Sequence, residues 1–181
     1  MNISSVTRAF AAAASAAVLA TAIAAPAAAD VRTVADAKGD VAGGADIWRV
    51  TVTHEKRVRV AIKMDDIVKD FTSDAGATVY VDTDPATAGP DFLLGTPLFE
   101  GSDYAMFRTK GWQPVGEPLT CFHNVQLDFD NDVARIAFGR GCLGNPAKVR
   151  VAVKTASGQP DGIARDWLVS RRHLTAWVAQ G

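Results

Sequence analysis

The chain is predicted to fold as an all-β, antiparallel β-sandwich of jelly-roll-like build, with one disulfide and few short helical turns. Three observations predict it. Apolar and polar residues alternate with a period of two through much of the chain after residue 30. Gly, Pro, Asp and Asn punctuate these runs at short intervals, and the three-to-four spacing of an amphipathic helix is sparse.

The elements follow in order. Residues 1–29 read as an export leader: Arg8 precedes a largely apolar run, Pro26 ends that run, and Ala27-Ala28-Ala29 supplies the small residues of a cleavage site. The run falls short of the ~20 apolar residues of a membrane helix. The expected mature protein is therefore a secreted, extracellular chain of residues 30–181, a single domain, since no linker or low-complexity tract divides it.

Asp30–Val34 is a candidate first strand. Trp48, Val50 and Val52 alternate with Arg49 and Thr51, and Val58, Val60, Ile62 and Met64 alternate with Arg59 and Lys63. His54-Glu55-Lys56 is expected to join them, with Val52 opposite Val58, Val50 opposite Val60 and Trp48 opposite Ile62. Asp65–Phe71 is expected to form a helical turn. Thr78–Val81, a short edge at Phe92–Leu94, and Ala105–Arg108 supply further strands.

A second hairpin alternates Val125, Leu127 and Phe129, then Ala134, Ile136 and Phe138, about a two-residue Asn131-Asp132 turn. That register sets Leu127 against Ile136 and Asp128 against Arg135 as an opposite-charge pair. It also sets Cys121 against Cys142 at a non-hydrogen-bonded position. An exported chain with two cysteines is expected to join them, adding roughly 3 kcal/mol on the chain-entropy model. Val149–Lys154 and Leu174–Val178 complete the strands, and Asp166–Arg172 is read as a capped turn. Trp48 and Trp177, in alternating runs, are expected in the core.

Charge excludes some partners. The chain has 19 Lys and Arg against 20 Asp and Glu, a net charge of −1. The densest basic run, Arg171-Arg172-His173, is too short for a nucleic-acid footprint, and nothing after the leader reads as a membrane anchor.

Two sets of residues carry candidate chemistry. Asp36, Asp40 and Asp46 lie in a Gly-rich segment, and Asp82, Asp84 and Asp91 follow the Thr78–Val81 strand. Oxygen-rich loops of this kind are candidate calcium ligands, although Asp serves equally in turns, and neither segment has EF-hand spacing. Trp112, in a turn with polar neighbours, is the leading candidate for an exposed ligand-binding ring, followed by Tyr104 and Trp167; core packing is the competing role for each.

No catalytic residue is assigned. His54, His123 and His173 are dispersed, and no nucleophile elbow or zinc motif occurs. Asp82 or Asp84 with Glu100 or Glu117 are the acids that distant strands would have to assemble for hydrolysis. Haem ligation through Met64 or Met106 is a weaker option than packing.

DAKGDVAGGADIWRVTVTHEKRVRVAIKMDDI, ATVYVDTDPATAGPDFLL and the closing RDWLVSRRHLTAWV resemble segments of small exported bacterial β-sandwich proteins. More distantly, D-x-x-x-D followed by DI-x-x-V-x-V is similar to family 9-like carbohydrate-binding modules and DOMON-type domains. This resemblance implies a structural calcium loop at Asp36, Asp40 and Asp46 and carries over no catalytic residue. The expected function is a secreted, non-enzymatic binding module for carbohydrate, a polysaccharide or cell-wall glycan, with structural calcium. The alternatives are a cell-surface interaction module and, after it, a secreted hydrolase.

Overall fold

A computed structural model describes residues 30–41, 45–71, 73–159 and 162–181; the expected leader lies outside them. The described chain forms β1 (Asp30–Ala35), β2 (Ile47–His54), β3 (Arg57–Met64), β4 (Gly76–Asp82), β5 (Phe92–Pro97), β6 (Ala105–Lys110), β7 (Gln113–Val115), β8 (His123–Asp128), β9 (Val133–Gly139), β10 (Lys148–Gln159), β11 (Gly162–Trp167) and β12 (Val178–Ala179). One 3-10 turn, Arg140–Leu143, is the single helical element among the described residues.

Two antiparallel sheets face each other. The first has the order β1-β2-β3-β9-β8; the second runs β11-β10-β4-β5-β6-β7, with β12 beside the start of β10. The chain leaves the first sheet after β3 and again after β9, and the strands it enters, β4 and β10, pair with each other as β3 and β9 do. Val50, Val52, Val60, Ile62, Met64, Ile136 and Phe138 from one sheet meet Val79, Val81, Leu94, Met106, Val151 and Val153 from the other, all essentially inaccessible to water. The period-two pattern produces this directly, because one face of each strand is removed from water while its neighbours stay out.

Both expected hairpins form, each in a register two residues from the expected one. His54 pairs with Val58, Val52 with Val60 and Val50 with Ile62, across a two-residue Glu55-Lys56 connection. His54 belongs to the strand because its imidazole is buried, with Nδ1 3.2 Å from the Val178 carbonyl oxygen. A shift of two preserves the inward face, so alternation alone does not distinguish the registers. In the second hairpin, Val125 pairs with Ile136 and Leu127 with Ala134 across a four-residue turn at 129–132. Asp128 folds that turn by accepting from the backbone N–H and side-chain amide of Asn131. Its ion pair with Arg135 persists diagonally at 2.8 Å.

The Cys121–Cys142 disulfide forms, with Cα atoms 5.5 Å apart, but not between opposed strand positions. Cys121 precedes β8 and Cys142 lies in the 3-10 turn. The ladder ends where the Gly139 N–H donates to Phe122 O, so close that an added Cβ would stand 3.2 Å from that oxygen.

Several elements differ from expectation. A bulge between Ile47 and Arg49 sends Ile47 into the core and Trp48 outward, where Lys38 lies 3.9 Å from its ring centre. Trp177 is half-buried under Lys148 and Arg150 instead of in the core. Phe92–Leu94 belongs to β5, an interior strand. Asp65–Phe71 is irregular, Asp166 lies within β11, and of the expected last strand, Leu174–Val178, only Val178 falls within β12. β7 and β11 were not expected: the first has three residues and the second carries a weak apolar pattern.

Candidate functional site

The outer face of the second sheet should be wet, yet Tyr80, Leu93 and Ala152 there are buried. Cross-strand pairing places them in one row, Ala152 beside Tyr80 and Tyr80 beside Leu93. Phe107, Trp112, Trp167 and Leu174 pack on this row. An open cleft of about 570 Å³ remains, lined by Tyr80, Trp112, Gln113, Lys154, Arg165, Trp167, Arg171 and Arg172.

Three rings shape the cleft. Tyr80 and Trp167 lie nearly parallel, centres 5.7 Å apart at 11°. Trp112 stands at 70° to Trp167, centres 6.0 Å apart, and 5.0 Å from Tyr80. Tyr80, itself buried, thus stacks with Trp167, and Trp112 stands across the pair. Tyr80 arrives by strand alternation and Trp167 from the neighbouring end of β11, opposite Lys154. Trp112 arrives by a costlier route. It forms, with Gly111, the two-residue turn joining β6 to β7, and both residues have positive φ, 58° and 72°. Such turns favour Asn-Gly; a bulky aromatic in this conformation stores strain of about 1–3 kcal/mol.

The rim is held by the loop between β4 and β5. Asp91 accepts from the Thr83 N–H and hydroxyl, Asp84 from the Ala86 N–H, and Asp82 Oδ1 from the Asp84 N–H. These bonds seat Gly89, φ 86°, against the Trp112 indole, where an added Cβ would stand 3.2 Å from Nε1. Asp82, Asp84 and Asp91 do turn chemistry here and are not brought together as metal ligands. Asp82 is buried and ion-paired with Arg150 at 2.6 Å; burial pushes its carboxyl up, against the pull of Arg150.

The opposite rim comes from a backbone excursion. Leu168 N–H donates to Val153 O and Thr175 N–H to Val151 O, so residues seven apart in the chain dock two apart on β10. The intervening segment must rise off the sheet. It carries Arg171 and Arg172 over the rings, with positive φ at Val169 (67°) and Arg172 (60°). The Arg172 guanidinium lies 5.7 Å from the Trp112 ring centre and Lys154 Nζ 5.9 Å from that of Trp167. Burial, then the neighbouring Arg165 charge, lowers the Lys154 pKa; burial raises that of Tyr80, partly offset by Arg172.

Of the three expected ligand-binding aromatics, Trp112 and Trp167 meet in this cleft and Tyr104 does not. Tyr104 packs on the core, donates to Asn124 Oδ1 at 3.3 Å and borders a separate pocket of about 220 Å³. Tyr80 is the member that pattern reading missed, because a Tyr inside a run of buried β-branched residues looks like plain core.

A second cluster lies behind β11, because Asp166 alternates with Trp167 and points to the face opposite the cleft. One carboxylate oxygen from each of Asp40, Asp46 and Asp166 falls within 4.8 Å of the others. Asp46 Oδ2 accepts from the Gly39 N–H and the Trp48 indole, while its Oδ1 is buried without a hydrogen-bond partner among the described residues. Asp166 Oδ2 accepts from the Ile47 N–H at 2.6 Å, and burial, reinforced by Asp36 and Asp40, pushes its pKa up to about 6. Desolvation, then the approach of Asp46, raises Asp40. Asp36 stands outside the cluster and accepts from the Val169 N–H. Two of the expected calcium residues thus converge on Asp166, whose role was hidden by its distance along the chain. A hard, all-oxygen donor set with a stranded buried oxygen fits calcium.

Comparison with known proteins found no matching family model, curated protein or solved structure.

Proposed function

We propose that this chain is an exported, non-enzymatic carbohydrate-binding module whose binding site is the aromatic cleft of the second sheet. The observation that carries it is the convergence of Tyr80, Trp112 and Trp167 in an open cleft, with Trp112 held there against its backbone preference. Strain kept at a particular side chain points to selection for what that side chain does. A sugar ring packs its apolar face on Trp167 and its edge on Trp112, with the buried Tyr80 backing both, while Gln113 and the basic residues hydrogen-bond its hydroxyls. Among the described residues no carboxylate lines the cleft, so these residues offer it no acid pair for glycoside hydrolysis. Export rests on the leader and agrees with the disulfide.

Asp40, Asp46 and Asp166 would hold structural calcium, which supplies positive charge among three crowded acids. By restraining Asp166, the ion would steady its neighbour Trp167. Thermal unfolding in calcium against chelator tests this: a raised midpoint that disappears in Asp46→Asn is expected, and identical midpoints would reject it.

Intrinsic tryptophan fluorescence tests the cleft. Titration with a panel of cell-wall polysaccharides is expected to quench emission, and Trp112→Ala to weaken binding by about tenfold or more, or ~1.4 kcal/mol. No response across the panel would overturn the proposal.

A further inference from the structure

The cleft's charge is more selective than its rings. Lys154, Arg165, Arg171 and Arg172 line it, no acid does among the described residues, and the chain as a whole has a net charge of −1. General basicity therefore does not explain the cluster. Among the described residues none of these four takes part in an ion pair. Lys154 and Arg165 are diagonal neighbours on one face of β10 and β11, opposite Trp167 and Ala156 respectively. Like charges so placed repel, and partial burial at Lys154 removes the water that would screen them. Arg171 and Arg172 are lifted to the same cleft by the strained excursion, where a straight continuation along β10 would have left them elsewhere.

Building on the carbohydrate proposal above, we infer that the ligand is an acidic glycan, whose sugar ring lies on Trp112 and Trp167 while its carboxylate or sulfate is held by Lys154, Arg165 and Arg172. A guanidinium presents paired donors that match either anion, and an ammonium adds a point charge. An anion seated there relieves the Lys154–Arg165 repulsion, which a neutral sugar leaves in place. Rings without cations suit a neutral glucan, and cations without rings suit any polyanion. The cleft combines both.

The test is tryptophan-quenching titration of the purified protein with polygalacturonate (carboxylate), chondroitin sulfate (sulfate with carboxylate), dextran sulfate (sulfate alone), dextran (neutral) and polyglutamate (a polyanion without sugar). The expected result is binding to at least one acidic polysaccharide about tenfold or more tighter than to dextran, weakening as salt rises. Whether polygalacturonate or dextran sulfate binds better assigns the anion. Lys154→Gln and Arg172→Gln are each expected to weaken acidic-glycan binding about fivefold with the unfolding midpoint retained, and Arg59→Gln, on the opposite sheet, to leave it unchanged. Dextran binding as tightly as the acidic glycans, unaffected by Lys154→Gln and Arg172→Gln, overturns this inference and leaves the carbohydrate proposal standing. Polyglutamate binding as tightly as any acidic glycan, or no binding by any member, overturns both.

Discussion

The two outer faces of this sandwich carry similar numbers of cations and treat them differently. On the first sheet Arg59 pairs with Glu55 at 2.9 Å, Arg135 with Asp128 at 2.8 Å and Lys63 with Asp132 at 3.2 Å, while Arg57 lies over Phe122. Their neighbours are Thr51, Thr53, Asn124 and Gln126, the ordinary polar covering of a solvated sheet. On the second sheet the rings are gathered, and most of the cations around them have no acid partner among the described residues. Arg150 is the instructive exception, because it shares a face with Lys154 yet is committed to Asp82. The lesson is that a charge cluster signals a ligand only where internal partners have been withheld.

Four measurements break or sharpen this contrast. The largest effect is expected for Arg150→Ala, which strands the buried Asp82 carboxylate and should cost about 3–5 kcal/mol by urea unfolding. The loss should shrink in acid, where Asp82 protonates. A loss below about 1 kcal/mol would place Arg150 with the uncommitted cations.

The second concerns the acidic cluster behind β11. In chelator, Asp166 has a folded pKa of about 6 against an ordinary 3.8, so the folded state holds the extra proton between those values. Stability should therefore fall as pH rises from 3.8 to 6, by about 3 kcal/mol in the limit, and Asp166→Asn should flatten that slope. Unfolding curves across this range, wild type against variant, check the sign.

Third, Gly89→Ala forces Cβ into a left-handed backbone and against the Trp112 indole, and should cost about 1–3 kcal/mol with altered tryptophan emission. Unchanged emission would free Trp112 from its seat. Smallest is Arg59→Ala on the paired face, where an exposed ion pair is worth about 0–1 kcal/mol in thermal melts. Lys154→Gln, which relieves repulsion, should be neutral or slightly stabilising in the same assay.

Much was legible in the chain itself. Alternation at Val50–Val52, Val58–Met64 and Val125–Phe138 determined that these segments are strands and which side faces inward, because burial of one face is a local property of spacing. Two cysteines permitted only one bridge. Trp112 stood out because a Trp in a Gly-Pro turn fits no core pattern. Asp40 and Asp46 were readable as neighbours within one acidic loop. Tertiary structure alone decided the rest. Registers shifted by two because both alternatives bury the same face, and the choice fell to single contacts such as buried His54 and the Asp128–Asn131 turn. Tyr80, Arg171 and Asp166 acquired their roles only when β10 and its neighbours docked, and Trp167, a candidate from the start, met Trp112 only there, since closeness across a sheet is set by pairing and not by distance along the chain.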